Sequence, residues 1–92
     1  MKTICVDYDG TLSDFYEYLE PMMEKMLKDG INVIVCTMRY EEEQTPVLEK
    51  IAKFYPVHYS GRKAKEQYLL EKGIVVDLWI DDKPFWIYQN SR

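Results

Sequence analysis

Short apolar runs recur along the chain, and polar residues follow each of them. The runs at residues 3–6 and 31–36 are rich in Ile, Val and Cys and show no regular alternation with charged positions. Runs of this kind are typical of strands that are buried on both faces of a sheet. Two further runs, at residues 56–59 and 75–80, predict a third and a fourth strand.

Apolar residues at helical spacing fill the segments between these runs. The spacing predicts helical segments over residues 13–20, 21–28, 41–54 and 62–72. Pro21 fits the first position of a helix, so a new helix is expected to start there. The acids Glu41–Glu43 favour a helix start at residue 41, although Pro46 with Thr45 as its cap favours a later one. Residues 85–88 are expected to form a short edge strand or a final turn.

Strands and helices alternate in this prediction, which indicates an α/β fold. Because crossovers between parallel strands are right-handed, the order implies a Rossmann-like three-layer sandwich, in which helices cover both faces of a small, mostly parallel sheet. A chain of 92 residues buries about 60–65% of its unfolded surface, which is enough for one core. We therefore expect a single domain over residues 1–92.

Composition narrows the classes of function. Lys and Arg total 12 against 16 acidic residues, and the net charge of −4 gives no general attraction for nucleic acid or anionic membranes. No apolar stretch is long enough for a transmembrane helix or a secretory signal, so we expect a cytoplasmic protein without a membrane partner. Cys5 and Cys36 lie inside apolar runs and are expected to be buried thiols.

Polar side chains that can carry chemistry come directly after the predicted strands. They are Asp7, Asp9, Thr37, Arg39, Ser60, Asp81 and Asp82. The carboxyl ends of parallel strands meet at one edge of a sheet, where ligands bind in open α/β folds, so these side chains are expected to converge. Four carboxylates in one crevice repel one another, and a hard cation with oxygen ligands offsets the repulsion. The sequence therefore predicts a Mg²⁺ site.

Donors of hydrogen bonds and positive charge are expected opposite these acids. Thr37 supplies a hydroxyl, and Lys63 and Lys65 supply ammonium groups. The combination suits a phosphoryl group, whose oxygens need both.

Four stretches of the sequence together resemble the motifs of the haloacid dehalogenase superfamily. They are V-D-Y-D-G-T-L after the first strand, I-V-C-T-M-R after the second, a lysine in the helix before the fourth strand, and W-I-D-D at the end of that strand. The resemblance extends from Ile4 to Asp82. It implies a magnesium-dependent phosphatase, a hydrolase of phosphomonoesters that acts through an aspartyl-phosphate.

The resemblance also implies the role of each acid. Asp7 would be the nucleophile that takes the phosphoryl group, and Asp9 would be the general acid and base. Mg²⁺ would be bound by the carboxylates of Asp7 and Asp81 and by the backbone carbonyl of Asp9, with Asp82 as a direct or water-mediated ligand.

The same resemblance implies residues that hold the phosphoryl group. Gly10 would let the chain turn past it so that neighbouring N–H groups, including that of Thr11, face its oxygens. Thr37 would donate a hydrogen bond, and Lys65 would neutralise developing charge, with Lys63 as the alternative lysine. Arg39 either clamps a substrate phosphate or covers the end of the sheet.

Members of this superfamily that act on small molecules usually carry a cap domain, and no segment here is long enough for one. The gaps at residues 12–20 and 60–61 are too short for the usual insertions. The expected site is therefore open, and it takes a nucleotide, a nucleic-acid end or another phosphomonoester, or a neighbour in an oligomer closes it.

Two other classes of function fit parts of the pattern. A catalytically silent binding or assembly module would keep the fold and the metal, but it would usually have lost Asp7 or Asp9. A phosphoacceptor signalling domain uses similar residues in another order, with its phosphorylated Asp after the third strand.

Overall fold

Four parallel strands form the central sheet of the computed structural model, which describes residues 1–91. The strands are β1 (Thr3–Asp7), β2 (Asn32–Thr37), β3 (Val57–Tyr59) and β4 (Leu78–Ile80). Their order across the sheet is β3-β2-β1-β4, so β1 lies in the interior between β2 and β4. In this register Asp7 lies opposite Cys36, and Val6 lies opposite Ile80. The predicted parallel α/β sheet is confirmed.

Helices cover both faces of the sheet, as expected. They are α1 (Ser13–Lys28), α2 (Pro46–Ala52), α3 (Lys65–Glu71) and α4 (Phe85–Tyr88). Helices α1 and α2 pack on one face, where Leu12, Met23 and Leu48 belong to the larger apolar core. Helix α3 packs on the other face, where Leu69 contacts a smaller core that includes the buried thiols Cys5 and Cys36.

The connections at the carboxyl edge of the sheet are short. A tight turn over Tyr8–Leu12 joins β1 directly to α1 and contains Gly10 at φ 80°. Tyr8 faces the larger core, and its hydroxyl lies 2.6 Å from Oγ1 of Thr45. Since the turn has only five residues, it leaves the edge of the sheet uncovered at this point.

The first helical region differs from the prediction. Residues 13–28 form the single helix α1 with Pro21 inside it, although the backbone at Phe15 departs from helical geometry. Pro21 removes one internal hydrogen bond, but apolar side chains before and after it pack on the same core, including Leu19 and Met23. This shared packing keeps the helix continuous, so the predicted break at Pro21 is wrong.

The later helices also differ from the prediction in where they begin or in the type of element formed. Helix α2 begins at Pro46, with Thr45 Oγ1 accepting a hydrogen bond from the N–H of Leu48, so the later predicted start is confirmed and the start at residue 41 is wrong. Helix α3 begins at Lys65 and not at Arg62, because Arg62 has a left-handed backbone, with φ 72°, that cannot continue a right-handed helix. Residues 85–88 form the short helix α4, where a strand or turn was expected.

No helix among residues 1–91 is both long enough and apolar enough to cross a membrane.

Candidate active site

The carboxylate of Asp7 lies at the centre of the carboxyl edge of the sheet. Asp7 is the last residue of β1, the strand whose five residues are all buried, and its side chain is only 7% exposed. Because the interior strand β1 ends at Asp7 and the turn begins at Tyr8, this carboxylate lies at the carboxyl edge of the sheet. Among the predicted acids, the side chains of Asp7 and Asp81 are both almost fully enclosed, at 7% and 3% exposed.

Lys65 connects two of the acids. Its Nζ donates to Oδ1 of Asp7 and to Oδ2 of Asp81, each at 2.6 Å, and the three side chains are almost fully buried. Lys65 reaches this place because it is the first residue of α3, whose start lies beneath the ends of β1 and β4. Lys63, the alternative lysine, is exposed, and it contacts Ser60 through its backbone: its N–H donates to the Ser60 carbonyl, and its carbonyl accepts from the Ser60 hydroxyl.

Thr11 links the turn after β1 to the acids after β4. Its hydroxyl lies 3.0 Å from Oδ2 of Asp7 and 3.2 Å from Oδ1 of Asp82, and it accepts a hydrogen bond from the N–H of Asp82. Gly10 lies against the same acid, because a Cβ at this position would overlap the Asp82 carboxylate. The turn therefore closes directly on Asp82 and requires glycine there.

The carboxylates of Asp7, Asp81 and Asp82 form a group that can hold a cation. One oxygen from each lies within 4.8 Å of the others. Among residues 1–91, Lys65 supplies the one side-chain cation in an ion pair with these three acids, which leaves two formal negative charges without an ion-pair partner. An all-oxygen donor set of this charge suits a hard divalent cation such as Mg²⁺. The donor chemistry therefore fits the predicted metal without being specific to it.

The electrostatics of Asp7 reflect this crowding. Burial raises the pKa of Asp7 to about 7, although the adjacent Lys65 acts in the opposite direction. Burial also acts to lower the pKa of Lys65, but Asp7 and Asp81 outweigh it and the pKa lies above its ordinary value. Lys65 therefore keeps its positive charge, while the acids carry excess negative charge in a poorly solvated place, which favours partial protonation of Asp7 near neutral pH. A divalent cation would relieve that excess.

Asp9 lies apart from the metal-binding group. Its carboxylate is turned to Arg39, whose Nε and Nη2 donate to its two oxygens at 3.0 and 2.8 Å. Arg39 is itself held, since its Nη1 donates to the carbonyl of Glu43 and its guanidinium lies 5.5 Å from the centre of the Tyr8 ring. The predicted metal contact through the backbone carbonyl of Asp9 stays a prediction.

Thr37 lies between these groups. It is fully buried at the end of β2, its Oγ1 accepts from the N–H of Arg39 at 3.2 Å, and its hydroxyl lies 3.4 Å from Oδ2 of Asp9. Ser60 is also buried, but it closes the turn to residue 63 and does not contact the acids.

A cleft of about 310 Å³ opens above Asp7 and includes residues that the sequence did not single out. Beside the acids and Lys65 it is lined by Met38, Arg62, Lys83, Trp86 and Ser91. Their signals were weak. Trp86 follows the acidic pair by four residues, and Arg62 follows a Gly in a turn. Neither pattern points to a site until the fold brings α4 and the β3–α3 turn to the same edge.

Comparison with known protein families, with curated proteins and with solved structures finds no match to this chain. The geometry of the site and the resemblance of the motifs are therefore the grounds for proposing a function.

Proposed function

We propose that the protein is a magnesium-dependent phosphomonoester hydrolase that acts through an aspartyl-phosphate on Asp7, as its resemblance to the haloacid dehalogenase superfamily implies. The single observation that carries the proposal is the arrangement around Asp7. A buried carboxylate at the end of a central strand is bonded to Lys65 on one oxygen and to Thr11 on the other, and it lies beside Asp81 and Asp82. The arrangement supports a nucleophile that works next to a cation and an ammonium group.

In the first step an oxygen of Asp7 attacks phosphorus while the bond from phosphorus to the leaving oxygen breaks. Asp9 donates a proton to that leaving oxygen, which departs as an alcohol. In the second step water attacks phosphorus, the bond to Asp7 breaks, and Asp9 takes the proton from the water. Inorganic phosphate leaves and both carboxyl groups return to their starting state.

The residues around Asp7 neutralise charge on the phosphoryl group and orient the reacting carboxylates. Lys65 neutralises negative charge that develops on the phosphoryl oxygens, and the hydroxyl of Thr37, which lies 3.4 Å from Oδ2 of Asp9, would turn to donate to one of them. Thr11 orients the carboxylates of Asp7 and Asp82 through its single hydroxyl. Asp7, Asp81 and Asp82 would hold Mg²⁺, which supplies Lewis-acid polarisation of the phosphoryl group.

A purified sample and a panel of phosphomonoesters test the proposal. We expect phosphate release that needs Mg²⁺, stops on chelation and returns when Mg²⁺ is restored. Asp7→Asn should abolish turnover, and Asp14→Asn, a change at an exposed acid on α1, should retain it. An absence of turnover on every substrate by a folded, magnesium-loaded protein would contradict the proposal and favour a silent binding module. Unchanged turnover in Asp7→Asn would contradict the assigned nucleophile.

A further inference from the structure

The cleft above Asp7 extends beyond the group that would hold the phosphoryl moiety. Its volume of about 310 Å³ lies at the low end of the range for small-molecule sites, which is roughly 300–1,000 Å³. This size suits a single small ligand and not the enclosure of a polymer. The other residues that line the cleft therefore indicate which kind of leaving group it accepts.

An aromatic ring and a thioether line this outer part. Trp86 is half-buried on α4, and its backbone N–H bonds to the carbonyl of Lys83 at 3.1 Å. The ring of Phe85 packs edge-on against Trp86, with the ring centres 4.8 Å apart. Met38, also half-buried, lines the same cleft after β2. Side chains of these types offer a polarizable apolar surface that accepts a flat aromatic ring.

Arg62 stands out by its backbone. It is the one non-glycine residue among residues 1–91 with a positive φ, at 72°. A left-handed backbone costs a residue with a side chain about 1–2 kcal/mol. The conformation is held by backbone hydrogen bonds, from the N–H of Arg62 to the carbonyl of Met38 and from the N–H of Ser91 to the carbonyl of Arg62. Strain that a fold retains in this way is commonest at ligand sites.

The side chain of Arg62 is fixed as firmly as its backbone. Nη1 donates to the carbonyl of Met38 at 2.7 Å, Nη2 donates to Glu43 at 3.1 Å, and the guanidinium lies over the ring of Tyr40. A guanidinium has five N–H donors, and these contacts use two of them. Because Arg62 lines the cleft, its other donors are candidates for bonds to acceptor atoms of a ligand.

We propose that the leaving group is a nucleoside, so that the ligand of this cleft is a mononucleotide. The base stacks on Trp86 beside Met38, and acceptor atoms of the base or sugar take the remaining donors of Arg62. This proposal rests on the proposed function only for the placing of the phosphoryl group at Asp7. A phosphotyrosine side chain also has an aromatic ring, but its ring offers no acceptors to Arg62, so the nucleotide is the better match.

A competing position for the base exists on the other side of Asp82. An apolar groove there is lined by Phe15, Tyr18, Leu19 and Ile80, and it shares Gly10, Asp81 and Asp82 with the cleft. Neither a cationic side chain nor Asp7 lines this groove. The experiment must therefore distinguish Trp86 from Tyr18.

The test measures equilibrium binding in the Asp7→Asn background with Mg²⁺ present, so that no turnover occurs. The ligands are adenosine 5′-monophosphate and ribose 5-phosphate, in which a hydroxyl at C1 replaces the base. Stacking of a base on an aromatic side chain contributes about 1–3 kcal/mol, which corresponds to roughly 5–150-fold in affinity. We expect the nucleotide to bind tighter than the sugar phosphate by a factor in this range.

Substitutions then locate the base. Trp86→Leu should bring the two affinities together, while Trp86→Phe should keep part of the difference. Tyr88→Leu, on the same helix but outside the cleft, and Tyr18→Leu, in the competing groove, should both keep all of it.

Several results would overturn the inference. One is equal affinity of Asp7→Asn for the nucleotide and the sugar phosphate, and another is a preference for O-phosphotyrosine over the nucleotide. The others are an undiminished difference between the two affinities in Trp86→Leu, or a loss of that difference in Tyr18→Leu. Because the assay measures binding and not hydrolysis, its outcome is independent of whether the wild-type protein turns over a phosphomonoester. Failure of the inference and failure of the proposed function are thus separate results.

Discussion

Both oxygens of the Asp9 carboxylate accept hydrogen bonds from the guanidinium of Arg39, from Nη2 at 2.8 Å and from Nε at 3.0 Å. Asp9 lines the cleft and is exposed. Asp9 is the proposed proton donor to the leaving oxygen, so its orientation decides whether that proton can be delivered. We therefore propose that Arg39 positions Asp9 and that one of its two hydrogen bonds opens when Asp9 carries that proton.

Arg39→Gln should lower kcat/KM most for substrates with poor leaving groups. An alkyl phosphomonoester needs the proton from Asp9, whereas an activated aryl phosphate departs without it, so the alkyl ester should lose about 10–100-fold more. Steady-state kinetics on the two substrates measures this ratio, and Asp9→Asn should show the same selectivity in stronger form. Lys63→Gln, a change at a nearby exposed cation, is the control. Equal losses on both substrates would contradict the role given to Arg39.

Substitution of Lys65 should lower the free energy of unfolding much more than substitution of Lys63. Lys65→Met leaves the buried Asp7 and Asp81 carboxylates facing each other without their shared cation, and loss of one partner of a buried pair typically costs about 3–5 kcal/mol. Lys63→Met removes an exposed charge and should change the free energy of unfolding by about 0.5 kcal/mol or less. Urea unfolding in metal-free buffer provides both values. Similar losses in the free energy of unfolding for the two variants would be inconsistent with the ion pairs of Lys65 with Asp7 and Asp81.

Gly10 and Gly30 form a matched pair. Both have positive φ, 80° and 88°, so an alanine at either site bears the same backbone cost of about 1–2 kcal/mol. Only at Gly10 would the new Cβ also overlap Asp82, while the space at Gly30 is free. Gly10→Ala should therefore also weaken the stabilisation of the fold by Mg²⁺, measured as a rise in melting temperature with added metal. If Gly30→Ala weakened it equally, Asp82 would not be part of the metal site.

The alternation of strands and helices was predictable from the sequence because β1 and β2 are buried on both faces and the strands form apolar runs. The boundaries at Pro21 and Arg62 were not, because core packing keeps α1 continuous through the proline and because a positive φ at a non-glycine residue leaves no mark in the pattern. Sequence alone also left Lys63 and Lys65 as alternatives. The start of α3 at residue 65 decides which of them faces Asp7.

The candidate site was predictable to a similar extent. Acids after β1 and β4 converge, as the topology requires. The ion pair of Asp9 with Arg39 could not be foreseen, because it depends on how two short connections cross the sheet edge. Trp86 could not be foreseen either, because its place depends on α4, a helix of four residues with no clear periodicity.

His58 should make the protein less stable in mild acid. Burial on β3, together with Lys72, lowers the pKa of His58 below its ordinary value of 6.5. As pH falls through that value, the unfolded chain binds a proton that the folded chain resists, so the free energy of unfolding decreases. His58→Gln removes this proton uptake.

The quantity to measure for His58 is the difference in the free energy of unfolding between wild type and His58→Gln. Between about pH 8 and pH 5, spanning the ordinary pKa of histidine, we expect the wild type to lose stability relative to the variant as pH falls. A difference that stays constant over this range would mean that the pKa of His58 is not lowered by folding.

The central claim is that Asp7 accepts a phosphoryl group beside a magnesium ion, and trapping a phosphoryl mimic on that carboxylate tests it most directly. Fluorine NMR of the protein with beryllium fluoride and Mg²⁺ should show bound fluoride resonances that disappear on chelation. They should also be absent from Asp7→Asn whose near-UV circular dichroism matches the wild type. Bound resonances that persist in folded Asp7→Asn, or their absence from the wild type at saturating Mg²⁺ and beryllium fluoride, would contradict the claim.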